Sequence, residues 1–564
     1  SMVDGLGVGN LSQKYATIAT LKHFLAYAVP EGGQNGNYAS VGIRDLHQNF
    51  LPPFRKAIDA GALSVMTSYN SIDGIPCTSN HYLLTQLLRN EWKFRGFVVS
   101  DLYSIEGIHE SHFVAPTKEN AAIQSVTAGV DVDLGGDAYT NLCHAVQSGQ
   151  MDKTVIDTAV CRVLRMKFEM GLFEHPYVDP KIAAKTVCRK EHIELARKIA
   201  QSSITLLKNE NSILPLSKTI NKVAVIGPNA DNRYNMLGDY TAPQEDSNVK
   251  TVLDGILTKL SPFRVEYVRG CAIRDTTVNE IEQAIEAARR SEVVIVVVGG
   301  SSARDFKTSY KETGAAVAEE GSVSDMECGE GFDRASLSLL GRQQELLESL
   351  QKTGKPLIVV YIEGRPLEKN WASEYADALL TAYYPGQEGG NAIADVLFGD
   401  YNPSGRLPIS VPRSVGQIPV YYNKKAPRNH DYVEVPSSPL YSFGYGMSYT
   451  TFEYSDLQVV QKSARCFEVS FKVKNTGKYD GEEVSQLYMR DEYASVVQPM
   501  KQLKHFERFH LKKGEEKKVT FVLTEEDFFL VNYTLKKVVE SGTFQVMIGS
   551  SSDDIRLEKS ISVE

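Results

Sequence analysis

The sequence predicts a multi-domain α/β protein: a β/α-barrel segment, then an α/β layer with a mostly parallel sheet, then a β-sandwich. Three textures along the 564 residues carry this reading. Short strand-like runs first alternate with amphipathic helical segments. Continuously apolar β-branched runs follow. Period-two alternation takes over near the C-terminus.

In the first region, residues 1–174, "LSVMTSYN" and "GFVVSDLYSI" read as strands ending in polar residues, with the helical pattern "NHYLLTQLLRNEWKF" between them. "TKENAAIQSVTAGVDVDL" reads as a helix running into a strand, and "VIDTAVCRVLRMKFEMGLF" as a helix stopped by Gly171. Strands separated by helices, with polar groups at their carboxyl ends, suit a (β/α) barrel. Residues 175–216 read as a linker. In residues 217–413 the runs "KVAVIG", "VVIVVVGG", "PLIVVYIEG" and "ALLTAYYPG" suit strands covered on both faces. Residues 414–449, rich in Pro, Tyr and Gly, read as a connector packed on the surface. Residues 450–564 alternate in "CFEVSFKVKNTG", "GEEVSQLYMRD", "EKKVTFVLT" and "GTFQVMIGSS", the pattern of a β-sandwich.

Composition excludes several classes. A formal net charge of -9 with no Lys/Arg block argues against nucleic acid as a partner. The seven cysteines are scattered and form no CxxC pair, so neither a disulfide framework nor a zinc site is expected. His109 and His112 lie three apart without further ligands, and no metal or cofactor is expected. No apolar stretch reaches the ~20 residues a membrane helix needs. "GPNADN" lacks the glycines and lysine of a nucleotide loop, and "PGQEGG" reads as a close-packing turn.

The candidate chemistry is carried by acids. "FRGFVVSDLYSI" delivers Asp101 to a strand end, where a carboxylate can attack an anomeric carbon. Alone, an Asp in that place is more often a helix N-cap. The neighbours favour chemistry: Lys22 and His23 end one strand-like run, and Tyr69 ends another. Lys22 and His23 can donate to sugar hydroxyls. Tyr69 can hold the carboxylate in place or fill core volume. Glu330, between Gly329 and Gly331, sits in a polar loop that the glycines let bend freely. Glu319, Glu320, Asp325, Glu327 and Asp333 are rivals, Glu327 first among them. Asp333 and Arg334 read as an ion pair fixing the loop. Arg304 is a candidate for the leaving-group side.

Read together and in order, "KHF", "VMTSYNSIDGIPCTSN", "LLRNEWKFRGFVVSDLYSI" and "AGVDVDL" resemble glycoside hydrolase family 3. So do "ARKIAQSSITLLKNENSILPL", "CGEGFDRASLSL" and "YYPGQEGGNAIADVLFGDYNPSGRLPISVP". "EEVSQLYMRDEYASVVQPMKQLKHFERFHLKKGE" resembles that family's fibronectin type III-like domain. The resemblance implies a retaining hydrolase with Asp101 as nucleophile, Glu330 as acid/base from the second domain, and Lys22, His23 and Tyr69 at the sugar. It implies an exo-acting β-glucosidase on small oligosaccharides or glucosides. Xylosidase and arabinofuranosidase relatives share much of the pattern. The family's barrel has a first half upstream of "KHF", so a partial (β/α)8 barrel is expected here, completed by a homodimer or a second chain. Alternatively the chain is a non-catalytic sugar-binding remnant. Such enzymes meet glycans outside the cytoplasm, which implies a periplasmic or secreted location.

Overall fold

The computed structural model of the protein describes residues 1–7, 10–13, 15–242, 244–302, 309–310, 316–317, 324–425 and 430–564. Two compact units divide the chain: Ser1–Ala184 form the first, and Lys185–Lys311 with Ala316–Glu564 form the second.

Among the described residues, the first unit is built on three parallel strands in the order β1 (Thr20–Phe24), β2 (Ser64–Thr67), β3 (Phe97–Val99). Register is set by Ser64 lying opposite Thr20 on one side and Phe97 on the other. A parallel bridge from Val99 to Val132 continues the sheet by one more extended segment. Helices alternate with the strands, and their apolar faces (Leu84, Leu87 and Leu88 of Tyr82–Glu91; Ala121, Ala122 and Val126 of Lys118–Ala128) pack with Val65 and Val98 in one core. Thr117 caps the second of these helices, its Oγ1 accepting from the Asn120 amide, and Gly129 ends it at φ +121°. The strand–helix alternation read from the sequence is thus present, as a partial parallel β/α sheet.

The second unit begins at Lys185. Within 175–216, expected to be a linker, Lys190–Ser203 is a helix and Thr205–Asn209 is a strand, β4. Its apolar residues Leu206 and Leu207 point to opposite cores, a signal too short to read in isolation. The remaining strands are β5 (Val223–Ile226), β6 (Val265–Val268), β7 (Val293–Gly299), β8 (Leu357–Ile362) and β9 (Ala378–Thr381). Among the described residues they form a six-stranded sheet in the order β4-β9-β8-β7-β5-β6, parallel except for the edge strand β4. Period-two geometry explains the continuous apolar runs. Val293, Ile295 and Val297 enter one core, while Val294, Val296 and Val298 enter the other. The 414–449 connector packs on this layer: Val411 bridges to Tyr441 and Leu206 to Met447.

Glycines set the closest approaches. A Cβ on Gly390 would lie 1.8 Å from the Thr251 carbonyl oxygen, so "PGQEGG" is a packing turn between helices. The β-sandwich pairs a sheet of β10 (Phe452–Ser463), β11 (Cys466–Asn475) and β14 (Glu516–Leu523) with one of β12 (Gly481–Asp491), β13 (Gln502–Leu511), β15 (Gly542–Gly549) and β16 (Ile555–Val563). It is tied to the α/β layer by Glu482, whose carboxylate accepts from Tyr401 at 2.8 Å and from Arg508, and by Glu483, 3.1 Å from Arg406.

Asp395 is a buried electrostatic tie of the α/β layer. Its carboxylate accepts from Arg197 (2.7 Å), Lys259 (2.6 Å) and Gln201 (2.7 Å). Burial pushes its pKa up, but these donors outweigh burial and hold it below the usual carboxylate range. Its stabilisation is therefore full above the unfolded pKa of ~3.9 and is lost as pH falls through the lower folded value. Asp395→Asn should cost about 3 kcal/mol at pH 7, because Arg197 loses its carboxylate partner and Lys259 keeps only Asp400. Urea unfolding should show the gap to the wild type narrowing at pH 3, and an equal gap at both pH values would place the effect elsewhere.

Candidate active site

In the first unit, the strand-end residues expected to carry chemistry do come together. Asp101 follows β3 and is 8% exposed. Its Oδ1 accepts the Leu102 amide at 2.8 Å. Its Oδ2 lies 3.4 Å from His23 Nε2 and has no hydrogen-bond donor among the described residues. The N-cap alternative fails on geometry: Tyr103 stands at the cap position of the Ser104–Glu110 helix, with φ +57°. One carboxylate oxygen is thus pinned by the backbone, and the other is buried at the strand end facing the His23 ring.

His23 and Lys22 end β1. The Lys22 side chain is exposed, and the His23 ring is tilted over Tyr27 at 4.6 Å between centroids. Burial lowers the His23 pKa, Asp101 opposes this, and Lys22 adds to the lowering. The net shift is downward, so the imidazole is neutral at pH 7. Tyr69 is placed differently from the expected contact with the carboxylate. Its hydroxyl donates to the Leu102 carbonyl at 2.9 Å, fixing the backbone beside Asp101, and its ring lies 6.2 Å from that of Tyr27.

Sequence reasoning passed over the supports of this strand end. Asp131, 9% exposed, takes Arg89 at 2.6 Å and Arg162 at 2.9 Å, and accepts the Val98 amide at 2.8 Å. It thereby ties β3 to two helices. The signal was in "AGVDVDL", whose first Asp follows a helix-ending glycine, but its partners are 42 and 31 residues away. Tyr27 was likewise missed, four residues after His23. The histidines His109 and His112 bind backbone carbonyls, Ala115 at 2.9 Å and Tyr69 at 2.8 Å. No group of three or more metal-ligating side chains occurs among the described residues. An open cavity of about 480 Å³ in this unit is lined by Asp133, Tyr139, Leu164 and Lys167, and by none of the candidate residues.

In the second unit, Glu330 is half-buried, flanked by Gly329 at φ +129° and Gly331 at φ +83°. Its amide donates to Asp239 Oδ2 at 3.4 Å. The loop expected to be freely bending is clamped in its described part. Arg274 donates to the Met326 carbonyl at 2.7 Å, and Arg365 to those of Glu327 and Phe332 at 3.2 and 3.1 Å. Glu327, the foremost rival acid, is 3% exposed and pairs with Arg334 at 2.7 Å. That ion pair is buried, and it ties Glu327 into the loop as an anchor. A Cβ on Gly300 would lie 1.9 Å from Glu327 Oε1, so the missing side chain makes room for this carboxylate. The arginine expected to pair with Asp333 is thus the one that holds Glu327. Asp325 lies 3.7 Å from Arg269. Arg304, with the rivals Glu319 and Glu320, lies outside the described residues.

Comparison with known proteins now fixes the class. Residues 1–166 match the Glycosyl hydrolase family 3 N terminal domain, 204–449 the Glycosyl hydrolase family 3 C-terminal domain, and 483–552 a Fibronectin type III-like domain. The chain is 39% identical to a β-xylosidase of Formosa agariphila, over 96% of this chain and 75% of that protein. It is 36% identical to a periplasmic β-glucosidase of Salmonella typhimurium, over 99% and 75% respectively. Its fold superposes on the crystal structure of a β-glucosidase from Listeria innocua in complex with glucose. The TM-score is 0.91 and the identity 34%, covering all of this chain and 76% of that one. The protein is a glycoside hydrolase. Within that class, the chain belongs to glycosyl hydrolase family 3.

The Asp101–His23 geometry sets a titration. Because the folded pKa of His23 is lowered, the stability gained by burying it neutral is complete above ~6.5 and declines as pH falls below that value. Asp101→Asn removes the charge that raises the His23 pKa, so the imidazole should titrate at lower pH than in the wild type. NMR titration of the His23 ring reads this directly. An unchanged midpoint would mean that the two groups do not interact.

Proposed function

We propose that the chain is a retaining, exo-acting β-glucosidase that releases terminal β-D-glucosyl residues from small oligosaccharides or glucosides. Asp101 is the nucleophile and Glu330 the acid/base. The observation that carries this reading is the Asp101 carboxylate, buried at a strand end with Oδ2 3.4 Å from His23 Nε2.

In the first step Glu330 protonates the glycosidic oxygen while Asp101 Oδ2 attacks the anomeric carbon. The C–O bond breaks, the leaving group departs with the proton, and a glycosyl ester remains on Asp101. In the second step the Glu330 carboxylate takes a proton from water as that water attacks the anomeric carbon, and the freed sugar leaves Asp101 ionised. This chemistry requires the two carboxyl groups to work about 5–5.5 Å apart. Neutral His23 and the Lys22 ammonium bind sugar hydroxyls, Tyr69 holds the backbone beside the nucleophile, and Arg304 serves the leaving-group side. No metal or other cofactor enters any step. A periplasmic or secreted location fits a glycan substrate and the similarity to the periplasmic β-glucosidase of Salmonella typhimurium, and no described helix is long and apolar enough to cross a membrane.

A second reading keeps the mechanism and changes the sugar to xylose, favoured by the 39% identity to a β-xylosidase. The two sugars differ by one hydroxymethyl group, worth about 1–3 kcal/mol in a pocket shaped for it. A panel of p-nitrophenyl β-D-glucoside, β-D-xyloside and α-L-arabinofuranoside ranks them, and a higher kcat/KM on the xyloside would replace the glucosidase reading.

Asp101→Asn should lower kcat by at least ~10⁴-fold without loss of fold, since the covalent step is removed. Glu330→Gln should slow both steps, and azide should partly restore turnover by supplying a nucleophile that needs no base. A glycosyl azide detected by mass spectrometry is the expected product. An Asp101→Asn enzyme with most of its rate, or a Glu330→Gln enzyme indifferent to azide, defeats the corresponding assignment.

A further inference from the structure

One aromatic residue near the strand ends is held where neither packing nor backbone preference puts it. Phe113 is 81% exposed and adopts φ +55°, the left-handed region that bulky residues avoid. Its loop is not loose. His112 Nε2 donates to the Tyr69 carbonyl at 2.8 Å, and His109 Nδ1 donates to the Ala115 carbonyl at 2.9 Å. The Val114 amide donates to the Ile108 carbonyl at 3.1 Å, and Gln124 to the Val114 carbonyl at 3.2 Å. Every contact but the first fastens the loop to its own helices. The His112 contact fastens it to Tyr69, the residue whose hydroxyl binds the Leu102 carbonyl next to Asp101. Phe113 is therefore carried on a rigid loop at the end of the sheet where Asp101 stands, with its ring in solvent. A glycine would fit the same φ without strain.

We propose that Phe113 is a specificity-determining residue whose ring stacks on the leaving-group part of the substrate. The chemistry recognised is a flat apolar face, offered by the C–H side of a pyranose or by an aryl aglycone. This deepens the glycosidase reading above and rests on it. The loop acts through pre-organisation: the ring needs no ordering when the ligand arrives, so the buried apolar area counts fully toward affinity.

Calorimetric binding to the full chain tests this with three probes: glucose, the S-linked disaccharide 4-thiocellobiose, and phenyl 1-thio-β-D-glucoside. Phe113→Ala should weaken one or both of the two extended ligands about tenfold, leave glucose within twofold, and keep the wild-type circular dichroism. Phe113→Tyr should restore affinity. Phe113→Gly should lose it while unfolding no earlier than Phe113→Ala, which separates the ring's role from the backbone's. Loss on the disaccharide identifies a sugar face, and loss confined to the thiophenyl ligand identifies an aryl aglycone. Unchanged affinity for both extended ligands overturns the proposal, as does a wild type that binds neither more tightly than glucose. A wild type that binds the extended ligands but cleaves no p-nitrophenyl glycoside instead defeats the hydrolytic reading and leaves the stacking result standing.

Discussion

The geometry of the first unit depends on one buried carboxylate, Asp131. Two guanidiniums and the Val98 amide converge on it, so a single anion locks the strand that ends at Asp101 to the helices Tyr82–Glu91 and Lys153–Glu169. Desolvating an anion and two cations is costly, and the arrangement persists because each carboxylate oxygen is satisfied. Burial and the second cation weaken the hold of Arg89 on its own proton, bringing its pKa down to about 10, but it remains charged at any physiological pH. The contrast with Asp101, which follows the strand that Asp131 holds, is chemical. Asp131 has both oxygens occupied and serves structure, whereas Asp101 keeps one oxygen without a donor.

The second unit solves a related problem with the roles reversed. The loop around Glu330 follows a strand buried on both faces, and its carbonyls need donors once they approach the protein. Arg274 and Arg365 supply them, and Arg334 takes the Glu327 carboxylate. Three arginines thus turn a glycine-rich polar segment into a defined platform for the Glu330 backbone. The same economy appears at the β-sandwich, where Glu482 and Glu483 on β12 meet Tyr401, Arg406 and Arg508.

Much of this was legible because its signals are local. "VVIVVVGG" can only be a strand with two covered faces, and β7 sends alternate residues to separate cores. "FVVSD" placed Asp101 at a strand end, and "KHF" placed His23 there too. The edge strand β4 was not legible. Five residues at the end of a helix carry no periodicity of their own, and only pairing with β9 makes them a strand. Tyr69 was found, but its hydroxyl's partner was not, because an acceptor one residue along the chain from Asp101 is indistinguishable in sequence from Asp101 itself. Glu327 looked like a proton donor for the same reason: nothing in "SDMECGEGFDR" reveals which acid faces a guanidinium.

By itself the sequence determined the order of the layers, the family, and the two acids proposed for the chemistry, since these rest on local periodicity and on motifs read in order. The tertiary structure alone decided which carboxylates meet guanidiniums and which meets a histidine, which histidine is neutral, and which aromatic ring is held out into solvent. Those properties belong to atoms brought together from distant parts of the chain, and burial and hydrogen-bond partners exist only once the chain has folded.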